Sequence, residues 1–86
     1  MSIVFETIGT CTARAVRRVE GYTAVARGLH GRLDADVCVC DQHIDLGVDY
    51  VTAAGLTSYI CPPNPALAEH PTVCGTATRY TSAAVQ

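Results

Sequence analysis

The sequence has no lysine and is short of charge altogether. Charged residues make up 16% of its 86 residues, against a typical ~25%. All six basic residues are arginine, which together with abundant Ala and Val fits the coding bias of a GC-rich genome. With a net charge of −2 there is no net basic face for nucleic acid, so nucleic-acid binding is not expected. No apolar run approaches the ~18 residues of a transmembrane helix. The opening Met1-Ser2-Ile3-Val4-Phe5-Glu6 lacks the basic and apolar regions of a secretory signal. No membrane association is therefore expected, and synthesis is expected in the reducing cytoplasm. Recognisable catalytic motifs are missing too: there is no Gly-x-Ser-x-Gly elbow, phosphate loop, dinucleotide fingerprint or His-Glu-x-x-His. The chain is not expected to be an enzyme.

What is present is apolar and β-forming. Apolar residues are 49% of the chain, and ten Thr supply much of its polarity; β-branched side chains suit a pleated surface. A chain this short makes one domain, residues 1–86, and buries only ~60–65% of its unfolded surface, so a metal, disulfides or a partner subunit are expected to support it. Too few charges to cover a small sphere imply apolar or Thr-lined surface hidden against another chain. The charge is also split. Residues 1–33 carry five Arg against Glu6 and Glu20; residues 34–86 carry five Asp and Glu69 against Arg79. Opposite signs can meet between neighbouring strands or between subunits in head-to-tail contact.

Ile3–Ile8 reads as a first strand closed by Gly9. Thr10–Val19 reads as a strand turning at Glu20-Gly21 into Tyr22–Arg27, with Val19 opposite Tyr22 and Val16 opposite Val25; a short helix ended by Gly21 is the alternative. Leu33–Cys40 alternates most cleanly, with Leu33, Ala35, Val37 and Val39 on one face and Asp34, Asp36, Cys38 and Cys40 on the other. Val48–Thr52 and Leu56–Cys61 read as further strands joined by Ala53-Ala54-Gly55. Pro62-Pro63-Asn64-Pro65 excludes a central strand, and Ala66–Glu69 allows one short helical turn. Thr72–Val85 reads as a last strand with Gly75 as a bulge or kink. The fold expected is mainly β: a small antiparallel barrel or sandwich of six or seven short strands.

The sharpest local feature is Cys38-Val39-Cys40, with His43 three residues on; Cys61, His70 and Cys74 follow. Four of Cys38, Cys40, Cys61, Cys74, His43 and His70 would suffice for tetrahedral zinc, although Cys-x-Cys is tighter than the usual knuckle. Disulfides need an oxidising compartment, and five Cys leave one over; Cys61 with Cys74 is the easier pair. Buried free thiols in a core with little aromatic content are preferred to both readings. No cofactor is therefore expected, with zinc as the exception to test. Cys40 with His43, or Cys74 with His70, would be the Cys–His pair of a small enzyme, but such pairs are more often structural. Asp34, Asp36, Asp41, Asp45 and Asp49 lack the glycine of a calcium loop, where Leu46 stands, and read as a solvated acidic edge. The four Tyr read as core or interface anchors.

Two functions follow as expectations. The first is a structural or assembly subunit that associates with other protein subunits, itself included; a phage virion component fits that physical type. The alternative is a small zinc-stabilised protein-binding module.

Overall fold

The computed structural model describes residues 2–23, 31–63 and 72–81. Their elements are β1 (Ser2–Thr7), β2 (Arg17–Tyr22), β3 (Leu33–Val39), α1 (Ile44–Ala53), β4 (Thr57–Ile60) and β5 (Thr76–Thr81), with a single 3-10 turn at Asp41–His43 leading into α1. The five strands make one sheet in the order β1-β5-β3-β2-β4, and every pairing is antiparallel.

The mainly β expectation holds, but the described residues form five strands rather than six or seven. Among the described residues the sheet stays open, with β1 and β4 as its edges, so it does not close into a barrel, and no second sheet packs on it to make a sandwich. One reason is α1, which takes up residues expected to form a strand at Val48–Thr52. Ile44, Gly47, Val48 and Val51 recur at helical spacing and pack on the sheet, with Gly47 and Val51 buried. The helix ends in a Schellman turn: Gly55 N–H bonds Thr52 O at 3.0 Å and Leu56 N–H bonds Val51 O at 3.0 Å. Gly55 there adopts φ +82°, a left-handed conformation that a side chain would penalise. Ala53-Ala54-Gly55 is thus a helix end and not a connector between strands.

The Glu20-Gly21 turn is also corrected. Both residues lie inside β2, which runs from Arg17 to Tyr22 and pairs with β3 on one side and β4 on the other, its register against β3 shifting between Gly21 and Tyr22. Val19 faces Val37 and Ile60, not Tyr22. Gly21 is buried beneath Val51 and Leu56, which leave no room for a Cβ at this position. The region of Val25 and His30, the Ala66–Glu69 helical turn, His70, and Ser82 onward lie outside the described residues.

Alternation along β3 divides the sheet into two faces. Val19, Ala35, Val37, Val39 and Ala77 join Val51 and Cys74 in the core beneath α1, all of them 0% exposed. The opposite face carries Arg18, Glu20, Asp36, Thr78 and Tyr80. There Arg18 Nη2 reaches Asp36 Oδ2 at 3.1 Å and Glu20 Oε2 at 3.2 Å, while Tyr80 donates to Asp36 at 2.6 Å. The opposite-sign halves of the chain therefore meet within it, also at Arg17–Asp41 (2.9 Å) and Arg32–Asp34 (3.1 Å). Asp34, Asp36 and Asp41 are paired with arginine, and Asp36 is buried and so is no part of a solvated acidic edge; Asp41, Asp45 and Asp49 are exposed.

Candidate metal centre

Three chain segments converge at one end of the sheet. Cys11 lies in the connection between β1 and β2, Cys40 and His43 flank the turn after β3, and Cys74 precedes β5. The register that joins them is set by backbone hydrogen bonds. Cys74 N–H bonds Ala13 O at 2.8 Å and Ala15 N–H bonds Thr72 O at 2.7 Å, around an isolated antiparallel bridge between Arg14 and Val73. On the other side Gly75 N–H bonds Cys38 O at 2.8 Å, while Ile8 N–H bonds Gly75 O at 2.8 Å.

Gly75 is the corner of this arrangement. Thr76 N–H closes a four-residue turn on Val73 O at 3.2 Å, and Gly75 sits third in it at φ +93°. Because Thr76 also pairs with Cys38, two residues oppose one, which is a glycine-initiated bulge. A Cβ on Gly75 would lie 2.1 Å from Ile8 O. No side chain fits there without moving β1 away.

The result is a compact donor set. One ligand atom from each of Cys11, Cys40, His43 and Cys74 lies within 4.8 Å of every other, close enough to hold a metal ion. Cys40 Sγ stands 3.0 Å from His43 Nδ1. Cys74 is fully buried, whereas Cys11, Cys40 and His43 are partly exposed. Ala13 N–H also points to Cys11 Sγ at 3.4 Å.

Within the cluster the thiols are unequal. The hydrogen bond with His43, helped by the Gln42 N–H and the neighbouring thiols, brings Cys40 down to about 7. Burial pushes Cys74 up to about 11, and proximity to Cys40 and Cys11 adds to the rise. One sulfur is thus ready to ionise beside another that resists it unless a cation is supplied.

Of the six residues singled out by spacing, the fold brings together Cys40, His43 and Cys74. Cys38 lies on the opposite face, where burial and the Asp36 carboxylate push its thiol up. Cys61 sits beyond the end of β4, its N–H on Arg18 O at 2.9 Å, and burial with Glu20 nearby raises it likewise. His70 lies outside the described residues. All five cysteines are free thiols, and Cys61 does not meet Cys74. Cys11 is the member that spacing missed, because it stands 29 positions before Cys40 with no companion donor beside it. Its only local signal is a thiol between two Thr just after a strand-closing Gly9.

No known protein family matches the chain, and no curated protein or solved structure is found similar to it.

Proposed function

We propose that this chain is a small, non-catalytic binding module whose fold is fixed at one end by a structural zinc ion on Cys11, Cys40, His43 and Cys74. The observation that carries the reading is the convergence of four soft donors from three separate segments within 4.8 Å. Zinc–sulfur bonds of ~2.3 Å in a tetrahedron separate sulfurs by ~3.8 Å, so small side-chain adjustments complete such a site. Three thiolates and an imidazole favour zinc over the harder cations. Four protein ligands leave no coordination position for a substrate, which makes the site structural and not catalytic. Metal analysis of protein purified under reducing conditions is the test: about one zinc per chain is expected, and a chain that takes up none overturns the reading.

The binding role rests on the sheet edges. Strand β1 exposes Ile3, Val4 and Phe5, the last 70% exposed, and β4 exposes Tyr59 and Ile60. Edge strands bearing apolar side chains are templates for added strands or subunits. This favours the wider reading of the chain as an assembly subunit. Sedimentation across a wide concentration range decides that part: self-association is expected, and a strict monomer at the highest concentration removes it.

A further inference from the structure

We propose that the Cys11–Cys40–His43–Cys74 cluster is a hydroperoxide-sensitive switch, in which Cys40 is oxidised, Cys11 closes a disulfide with it, and the metal is released. The inference rests on the metal-site reading above and adds the regulation of that site.

Accessibility selects the sulfur that is oxidised. Cys74 is 0% exposed and belongs to the core cluster, so an oxidant in solvent cannot reach it. Cys40 and Cys11 are both partly exposed. Cys40 is held in place by His43, whose backbone N–H bonds Cys40 O at 3.1 Å and whose Nδ1 meets the sulfur at 3.0 Å. Bound to the metal it is a thiolate, the form that peroxide attacks, and as the fixed sulfur within reach of solvent it is the one oxidised.

Backbone anchoring selects the partner. Cys74 is pinned on both sides, by its own N–H on Ala13 O and by the adjacent Gly75 N–H on Cys38 O. Cys11 lies outside the strands in the β1–β2 connection, and only its sulfur is tied, by the Ala13 N–H. Shortening a separation of at most 4.8 Å to the ~2.05 Å of a disulfide requires one of the two sulfurs to move. Cys11 is the one free to do so.

The chemistry balances with a hydroperoxide as oxidant. The Cys40 thiolate attacks the peroxide; its O–O bond breaks, a sulfenic acid forms on Cys40, and an alkoxide or hydroxide leaves. The Cys11 thiolate then attacks the Cys40 sulfur, the S–S bond forms, and the S–O bond breaks to release hydroxide, which takes a proton and becomes water. Two electrons pass from the two sulfurs to the peroxide. Only Cys74 and His43 remain as ligands, too few for a tetrahedral ion. A dithiol reductant reverses the change.

The experiment uses the full chain. Zinc is first measured under reducing conditions; a chain that neither carries nor takes up zinc overturns the metal-site reading and the switch with it. The zinc-loaded protein is then treated with hydrogen peroxide while a chromogenic chelator follows zinc release. Mapping follows with trypsin and a protease that cuts before Asp, so that Cys11 (residues 1–14), Cys40 (residues 36–40) and the pair Cys61 and Cys74 (residues 49–79) fall on different peptides. A Cys38→Ser variant removes the neighbouring thiol from the assignment. About one zinc released per chain is expected, together with the Cys11 peptide joined to the Cys40 peptide and recovery on adding dithiothreitol and zinc. Retention of zinc under peroxide, a bond joining any other pair, or irreversible sulfinic acid at Cys40 overturns the switch while leaving the metal reading intact.

Discussion

The five cysteines fall into two neighbourhoods that differ in almost everything except residue type. At the end of the sheet, Cys11, Cys40 and Cys74 face one another and a histidine. Across the strands, Cys38 and Cys61 stand among Arg18, Glu20 and Asp36, where burial and carboxylates keep both thiols protonated. Cys38 and Cys40 are two positions apart in sequence and yet belong to different sites. The chain leaves β3 after Val39, so Cys40 no longer follows the alternation that places Cys38. What a cysteine can do here is decided by the groups that face it and not by its spacing along the chain.

The sharpest way to break that contrast is to challenge the proposed zinc site with a competitor for the ion. A competing chelator under reducing conditions is expected to collapse the thermal transition followed by circular dichroism, since structural zinc contributes roughly 10–16 kcal/mol of apparent folding free energy in small domains. An unmoved melting curve would place the donor set among ordinary buried thiols. Next in size is Gly75→Ala, which forces a Cβ toward Ile8 O at a left-handed backbone position. It should lower stability in urea by about 2–4 kcal/mol and reduce zinc retained on dialysis; full retention of both would show that the bulge does not set the site.

On the other side of the comparison, Asp36→Asn removes the carboxylate shared by Arg18 and Tyr80. A loss of about 1–3 kcal/mol is expected with zinc content unchanged, and a fall in zinc would mean that the two neighbourhoods are coupled. A smaller effect is the alkaline limb of stability. Burial and the hydrogen bond to Asp36 push Tyr80 up to about 12, above its ordinary 10. The folded state thus favours the neutral phenol, and its contribution is complete below about pH 10 and is lost as pH rises toward 12. The raised thiols of Cys38 and Cys61 act with the same sign from about pH 9 upward. Denaturant melts from pH 8 to 12 should show this decline, and a shallower one in Asp36→Asn. The smallest change is expected from Cys38→Ser and Cys61→Ser, which should leave zinc stoichiometry as it was; a drop in either would enlarge the site.

Much of the sheet could be read from the residues. Strict alternation marks β3, because one face of it packs under a helix and the other meets a charged network. The same logic failed over Val48–Thr52, whose β-branched residues suit either state. Two turns of helical spacing from Ile44 to Val51, closed by Gly55, outweighed local propensity once α1 had the sheet to pack against. The metal centre was half legible. Cys40 and His43 are neighbours on one turn, but Cys11 and Cys74 arrive through β-pairing that no short-range pattern records.

The strand order has a consequence for how the chain reaches this state. Of the four pairings in β1-β5-β3-β2-β4, only β2–β3 joins strands adjacent in sequence. The first strand waits for the last, and such long-range closures slow folding because the entropy of each loop is lost before its contacts form. An ion gathered by Cys40 and His43 as soon as β3 ends would then capture Cys11 and Cys74 one at a time. With zinc at the proposed site, one long search would divide into two shorter ones, and the rate of refolding, as well as its end point, would depend on the concentration of metal.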